Sequence, residues 1–600
     1  MNHLSSNASP TPRHTYQQRL ADQQAILQAA QVRSRSIWLW RRVLFAALLS
    51  IVGLAMAGWL WLAWSVLPLV LFVVLMVKHQ RVAEIIERAT RVAAYYEYGL
   101  ARLSDAWMGK GNAGERFKDP QHAYAEDLDL FGTGSLFELL STARTRAGEE
   151  RLAAWLLAPA TLAEIQARQE AVNELRTKLD LRADLALLGD ALRTGVNHAE
   201  LAAWSARPAQ FTSRKVQIVA AVMGLVTLVA VTLWFAFGWR QFAFASFLMQ
   251  GVFMFYVRAE VGRVISEIEG PSRDLRLLRQ VLSRIEQEQF VAPALARLRA
   301  ALDTHGLSPA QQIARLQRLG EILDWCKNQF FAPLAFVLLI PVQVAIAMER
   351  WKQACGPQVA RWLEALAEFE ALNSLAGYAY EHPADPFPEL VNDTAVFDGL
   401  QLGHPLLAAA RCVRNDVTLT AQQPLLIVSG SNMSGKSTLM RTVGVNVVLA
   451  LAGAPVRAQG LRLSRFNVGA AIHIQDSLQA GASRFYAEIT RLRQVVELTQ
   501  AELPLLFLLD EILSGTNSHD RRIGAAAVIK GLVERGALGF VTTHDLALTK
   551  IADELQGRAR NIHFQDELKD GVMHFDYHMH DGVVQRSNAL ELMRAVGLNV

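Results

Sequence analysis

Polar and apolar positions are patterned on three scales along this chain, and each scale predicts a different element. The longest is a pair of charge-poor blocks. Val43 to Val77 contains no Asp, Glu, Lys or Arg, and Val216 to Val257 contains only Arg240. One bilayer span needs about 20 residues. The first block is too long for one span and just long enough for two short ones. Gly58 with Trp59, Trp61 and Trp64, and Gly238 with Trp239, sit near the two midpoints, where a turn at an interface places aromatic rings. Both blocks therefore predict helical hairpins, four spans in all. Buried core helices of a soluble protein are the alternative, but such helices seldom stay uncharged on every face.

The middle scale is helical. Residues 82–212 and 258–382 are rich in Ala, Leu, Glu and Arg, with spacings such as Leu136-Phe137-x-x-Leu140 and Leu363-x-x-Leu366-x-x-Phe369. They predict long amphipathic helices whose charges form a solvated face. The shortest scale is the continuous apolar run. Leu425-Leu426-Ile427-Val428, Leu505-Leu506-Phe507-Leu508-Leu509 and Leu538-Gly539-Phe540-Val541-Thr542-Thr543 read as buried strands. From about residue 401 strands and helices alternate, which predicts an α/β domain. Residues 1–36 read as a polar, flexible start running into a helix. Residues 383–400, with Pro383, Pro386 and Pro388, read as a linker.

Composition adds to this picture. Six hundred residues exceed one compact core, so several domains are expected. Apolar residues make up 52% and charged residues 19%, a balance that tilts toward a membrane protein. The net charge of +4 argues neither for nor against nucleic acid. Cys326, Cys355 and Cys412 show no metal or disulfide spacing, which fits a reducing compartment. Arg33, Arg35, Arg41 and Arg42 precede the first block, and Lys78 and Arg81 follow it. Arg214 and Lys215 precede the second, and Arg258 and Arg263 follow it. The positive-inside rule puts all four flanks in the cytoplasm. The first block begins too far into the chain for a cleaved signal peptide. A third apolar stretch, Phe330 to Met348, contains Pro333, Pro341 and Gln343. Five spans would leave the downstream chain outside if the amino terminus is inside. This stretch is therefore expected to pack within the protein or lie on the membrane without crossing it.

The chemistry concentrates after the first buried strand. Residues 430–438 read Gly-Ser-Asn-Met-Ser-Gly-Lys-Ser-Thr, a complete G-x-x-x-x-G-K-[ST] loop between a strand and a helix. Gly430, Ser431, Asn432, Met433, Ser434, Gly435, Lys436, Ser437 and Thr438 are thus assigned to nucleotide phosphates. Inward backbone N–H groups and the helix dipole supply positive potential there. Lys436 reaches the outer phosphates, and the Ser437 hydroxyl holds Mg²⁺. The second strand ends in Asp510-Glu511: Asp510 is assigned to Mg²⁺ and Glu511 to polarising the attacking water. The third ends in His544, placed to bond the γ-phosphate or orient the water, with a satisfied helix cap as the alternative. Ser483-Arg484-Phe485-x-x-Glu488 opens another helix and by itself is only a cap.

Together these pieces resemble the MutS family of ABC-type ATPases. The loop is similar to G-P-N-M-G-G-K-S-T, with Ser431 and Ser434 replacing a proline and a glycine. Asp510 to Asp520 resembles D-E-L-G-R-G-T-S-T-x-D, Thr542-Thr543-His544 resembles A-T-H, and Ser483-Arg484-Phe485 resembles S-T-F. Gly403-His404-Pro405 and Asn415-Asp416 resemble R-H-P and P-N-D, and Ser587-Asn588-Ala589 with Gly597-Leu598 resembles the closing helix. Upstream, Ser135 to Gly148, Arg151 to Leu156, Arg168 to Val172 and Leu366 to Leu375 resemble the family's helical core. The similarity covers about 128–200 and 324–600.

The resemblance implies an ATP hydrolase that needs ATP and Mg²⁺ and works as a homodimer, with Ser483 reaching the partner's nucleotide. It also makes DNA a plausible partner. It leaves no room for an amino-terminal mismatch-reading domain, and a hairpin occupies the interval that carries the DNA clamp in mismatch-repair MutS. The expected architecture is multi-domain: four transmembrane helices in two hairpins, an all-α lever and core, and a C-terminal α/β phosphate-loop domain. Its segments are 1–36, hairpin 37–81, core 82–212, hairpin 213–260, core and linker 261–400, and ATPase domain 401–600. The expected location is a bacterial inner membrane, multi-pass, with the ATPase domain in the cytoplasm. The alternative function is an ATP-driven membrane protein that acts on a protein partner or its own hairpins, with no DNA role.

Overall fold

The computed structural model describes residues 11–195, 198–303, 306–329, 331–392, 394–431, 433–472, 484–569 and 572–584. The helices run α1 (Pro12–Met56), α2 (Val66–Leu103), α3 (Leu136–Leu140), α4 (Arg146–Leu157), α5 (Leu162–Leu175), α6 (Leu179–Gly195), α7 (His198–Ala206), α8 (Arg214–Phe237), α9 (Arg240–Glu286), α10 (Pro293–Leu302), α11 (Pro309–Cys326), α12 (Ala332–Val337) and α13 (Ile340–Glu381). Beyond them come β1 (Glu389–Val391), β2 (Val396–Leu402), β3 (Asn415–Thr420), β4 (Leu425–Ser429), α14 (Lys436–Ala452), β5 (Gly460–Ser464), β6 (Asn467–Ala471), α15 (Arg484–Glu497), β7 (Leu505–Asp510), α16 (Ser518–Glu534), β8 (Leu538–Thr543), α17 (Leu546–Thr549), α18 (Ile551–Glu554), β9 (Ala559–Lys569) and β10 (Val572–Asp581). The chain divides into two compact units. One is built from 1–141, 153–177 and 374–600, the other from 142–152 and 178–373.

In the first unit the strands form two sheets. A four-stranded sheet has the order β1-β5-β2-β3, and a six-stranded sheet has the order β10-β9-β4-β8-β7-β6. In the larger sheet every neighbouring pair is parallel except β9 with β10. Every residue of β4 and β8 is buried. Sheets covered on both faces read as unbroken apolar runs because neither side of the strand meets water. Helix α14 is buried along almost its whole length. Gly444 lets it approach the sheet: a Cβ there would come within 2.8 Å of both Leu128 and Leu508 side chains.

Two stretches differ from the pattern-based expectation. Residues 383–400 are not a plain linker, because they carry β1 and most of β2. The prolines end the preceding helix, and the pairing partner that makes a strand, β5, lies some seventy residues on. Residues 104–135 hold only a single short 3₁₀ turn, Glu115–Phe117, instead of a long helix. Gly109, Gly114, Gly132, Gly134, Asp105 and Asp129 adopt positive φ there, which a helix does not admit. This stretch packs on the sheet unit. Asp127 accepts from Ile472 N at 2.7 Å and pairs with Arg491, and Asp129 pairs with Arg441 on α14.

Helices α1 and α2 of the first unit form a hairpin. It turns at Gly58, whose φ is +77°. Trp59, Trp61 and Trp64 are exposed at its tip. The root is fixed by a buried cluster: Arg102 donates from Nε to Glu381 at 2.6 Å, and Tyr16 donates to the same carboxylate at 3.1 Å. In the second unit, α8 and α9 form another hairpin, turning at Gly238 with φ +74°. Among the described residues, four helices are long and apolar enough to cross a membrane: Pro12–Met56, Ala63–Leu103, Arg214–Phe237 and Arg240–Glu286. The apolar blocks are thus parts of longer helices that run on into charged sequence. The stretch 331–348 is not among these four. It is broken between α12 and α13, and Leu339, Val342, Ala345 and Ile346 are buried.

Candidate functional site

Four elements of the sheet unit converge at the carboxyl ends of the parallel strands. β4 delivers the glycine-rich loop, β7 delivers Asp510 and Glu511, and β8 delivers Thr542 and Thr543. β10 brings Tyr577 over the top. In the sheet register Asp510 lies opposite Thr542, and Ser429 lies opposite Thr543. The loop turns because Gly430 and Gly435 take φ of +151° and +107°. A Cβ on Gly430 would meet the Ser434 hydroxyl at 2.8 Å. Gly435 then opens α14.

A cleft of about 580 Å³ lies above this junction, lined by Met433, Gly435, Lys436, Ser437, Thr438, Glu511, Asp510, Tyr577 and others. Lys436 is 4% exposed, and its ammonium donates to Gly430 O at 2.9 Å and Ser431 O at 2.8 Å. It stands 3.7 Å from Glu511 Oε1. Burial pulls the Lys436 pKa below the usual lysine range, while Glu511 and Asp510 oppose that shift. Ser437 Oγ donates to Asp510 Oδ2 at 2.5 Å. His544 Nδ1 lies 3.4 Å from Glu511 Oε2.

The structure thus brings Lys436, Ser437, Asp510, Glu511 and His544 together, and places Ser431, Met433 and Ser434 in the loop above them. Gly430 and Thr438 bracket it. Asn432 and Ser483 fall outside the described residues, as do Ser587–Ala589 and Gly597–Leu598. The hydroxyls of Ser431 and Ser434 are buried, with no partner among the described residues. Buried polar atoms left over in a phosphate-type loop fit an anion with many oxygens, because each orphan hydroxyl otherwise carries its full desolvation cost. The donor set for Mg²⁺ also fits: a serine hydroxyl and a carboxylate, hard oxygen ligands that leave room for water.

Sequence reasoning missed three contributors. Thr542 Oγ1 donates to Asp510 Oδ1 and accepts from Glu511 N at 3.1 Å, so one hydroxyl ties the Asp510 carboxylate to the Glu511 main chain. Its signal was present in the Thr-Thr-His ending, but the pairing of β7 with β8 decides it. Glu488, buried on α15, accepts from Leu513 N and so ties that helix to the turn after β7. Glu511 and Leu513 in that turn hold positive φ, +45° and +58°, a conformation that costs free energy in residues with a Cβ. Tyr577 also has positive φ, +56°, at an irregularity in β10. Asn415 grips that bulge from both sides, donating to Tyr577 O at 3.0 Å and accepting from Met579 N at 2.8 Å.

Residues 426–599 match the family model described as MutS domain V. This stretch of the chain is a MutS-family domain V. It is 32% identical to the Endonuclease MutS2 of Lactococcus lactis strain IL1403 over 35% of this chain and 27% of that protein. It is 30% identical to the DNA mismatch repair protein MutS of Natronomonas pharaonis over 43% of this chain and 29% of that protein. A longer match, 30% identical, joins 54% of the chain to 41% of the Endonuclease MutS2 of Anaeromyxobacter strain Fw109-5. The chain therefore spans less than half the length of these curated relatives. The loop departs from the G-P-N-M-G-G-K-S-T pattern at Ser431 and Ser434, whose buried hydroxyls have no partner among the described residues.

Proposed function

We propose that this chain is a membrane-anchored ATPase that binds ATP with Mg²⁺ in the 430–438 cleft and hydrolyses it as a homodimer. The observation that carries the proposal is the junction of Lys436, Ser437, Asp510 and Glu511 at the foot of one cleft. Gly430 to Thr438 would cradle the phosphates. Lys436 would exchange its bonds to the loop carbonyls for the outer phosphates, and Ser437 and Asp510 would hold Mg²⁺. The metal would neutralise charge developing on the transferred group. Glu511 would polarise the attacking water, and His544, beside it, would orient that water. Ser483 would approach the nucleotide of a second copy.

Both hairpins support the anchoring. About 16 residues separate Arg42 from Gly58, about 24 Å at 1.5 Å per residue, close to the roughly 30 Å hydrocarbon layer. The tip tryptophans then meet the far interface, and the Arg and Lys flanks face the cytoplasm. Coupling to DNA, mismatched or branched, is the role suggested by relatives named for mismatch repair and as endonucleases.

The test uses the full chain, solubilised and reconstituted. The wild type should bind and turn over ATP, and Lys436→Ala should lose tight ATP binding. Plain, mismatched and branched DNA should change the rate, with an affinity that falls steeply as salt rises, because phosphate contacts release counterions. An ATPase indifferent to every DNA would overturn the DNA role and leave the levers acting on a protein partner or on the hairpins.

A further inference from the structure

The stretch 331–348 carries no Asp, Glu, Lys or Arg, and it follows the apolar hairpin of its own unit closely. Its approach can be traced contact by contact. Ala310 N donates to Glu286 at 3.3 Å, Arg279 donates to Gln317 at 2.6 Å, and Phe336 meets Phe247 at 6.3 Å between ring centres. α11 and α12 therefore run antiparallel to α9, from its charged end up into its apolar block. The return runs down α8. Leu338 packs on Gly224, Gln343 Nε2 donates to Gln217 O at 3.1 Å, and Glu349 accepts from Gln210 N at 2.6 Å. The chain goes up one helix of the hairpin and comes back down the other.

The turning point lies deep. Gly224 is ten residues beyond Arg214, about 15 Å along the helix, and Gln250 is eight residues short of Arg258, about 12 Å. A chain break at such depth leaves backbone groups that lipid cannot satisfy. Pro341 favours the break: it has no N–H to give to the carbonyl four residues back, Val337 O. Leu339 takes a positive φ of +51°, and Gln250 Nε2 donates to Val337 O at 2.8 Å in place of the missing N–H. Gln250 is 0% exposed on a helix face it shares with buried Ala243, Ser246 and Val257. Gly224 is needed at the crossing, because a Cβ there would lie 3.1 Å from the Leu338 backbone. On the outside, Leu334 and Phe336 are exposed, as are Phe244, Leu248 and Val252 of α9.

We propose that residues 331–348 form a re-entrant segment that dips to about the middle of the bilayer and returns, clamped by Gln250 and presenting Leu334 and Phe336 to lipid acyl chains. The proposal rests on the membrane reading of the α8–α9 hairpin. The experiment separates the two. In full-length protein with Cys326, Cys355 and Cys412 replaced by Ala, single cysteines at Phe336, Leu248 and Arg258 carry a nitroxide. The protein is reconstituted in phosphatidylcholine–phosphatidylglycerol vesicles, and collisions with oxygen and with a polar nickel chelate report depth. Labels at 336 and 248 should both be oxygen-rich and shielded from nickel, and the label at 258 should meet nickel. A label at 336 that meets nickel while 248 stays deep overturns the re-entrant segment alone. Nickel at all three positions overturns the membrane reading. In a second step Gln250→Leu should loosen or raise the label at 336, and Gln250→Glu, whose protonated form can still donate, should restore it at low pH. A label at 336 that Gln250→Leu leaves unmoved removes the clamp.

Discussion

Two breaks in regular structure, one in each unit, solve the same local problem in opposite surroundings. At 430–435 the chain leaves β4 through two positive-φ glycines, and at 338–339 it leaves α12 through a positive-φ leucine. Both breaks free backbone carbonyls. In the glycine-rich loop an ammonium, Lys436 Nζ, covers Gly430 O and Ser431 O, inside an open cleft with acids around it. At the helix break a neutral amide, Gln250, covers Val337 O among apolar side chains. A charged cap can trade its carbonyls for phosphate oxygens, because the exchange keeps the charge solvated. A neutral amide sealed in an apolar wall has nothing to trade with. The first break carries a cap that a phosphate could displace, and the second carries one with no such exchange open to it.

The sharpest attack on this contrast is at the open site. Glu511→Gln keeps the shape of the side chain and removes its basicity. Turnover should fall on the order of 10²–10⁴-fold, the usual worth of a general base, while ATP binding persists and dimers accumulate. Normal steady-state turnover would remove Glu511 from the mechanism.

A second attack compares acids. Glu511 is partly exposed, whereas Glu370 of the helical unit is buried, accepting from Arg144 N, Thr145 N and the Thr145 hydroxyl. Burial pushes the Glu370 carboxyl up from 4.5 to about 7, and those hydrogen bonds oppose the shift. A raised carboxyl pKa means the folded state holds the proton more tightly than the unfolded state. Stability should therefore fall as pH climbs from about 4.5 through 7. The upper bound is ~3 kcal/mol at 1.36 kcal/mol per pKa unit. The melting temperature of Glu370→Gln should lack that slope, and parallel curves for variant and wild type would show that Glu370 stays ionised.

The smallest effect belongs to the bridge between the acids. Thr542→Val removes the hydroxyl that ties the Asp510 carboxylate to the Glu511 main chain. It should slow turnover about tenfold, ~1.4 kcal/mol, with little change in ATP affinity. A proportionate loss of affinity would make Thr542 part of the binding surface.

Much of the first unit was legible because its requirements are local. Buried parallel strands must be apolar on both faces, so β4, β7 and β8 read directly from Leu425–Val428, Leu505–Leu509 and Leu538–Thr543. The loop's glycines and the residues ending each strand travel with those runs, which is why Lys436, Ser437, Asp510, Glu511 and His544 met as the pattern required. Tyr577 was invisible because its position depends on a bulge held by Asn415, 162 residues away. The stretch 104–135 was misjudged because its Ala- and Leu-rich neighbours masked a dense set of glycines and acids with positive φ.

By itself the sequence determined the glycine-rich loop, the buried strands, the two apolar hairpins and their turns at Gly58 and Gly238. Each is a property of neighbouring residues: backbone freedom, side-chain period, or an unbroken lack of charge. Tertiary structure alone decided that Glu389–Val391 and Val396–Leu402 are strands, that Thr542 ties the Asp510 carboxylate to the Glu511 main chain, and that Gln250 closes the gap left by Pro341. Each of these needs a hydrogen-bond partner far along the chain, and only packing chooses that partner.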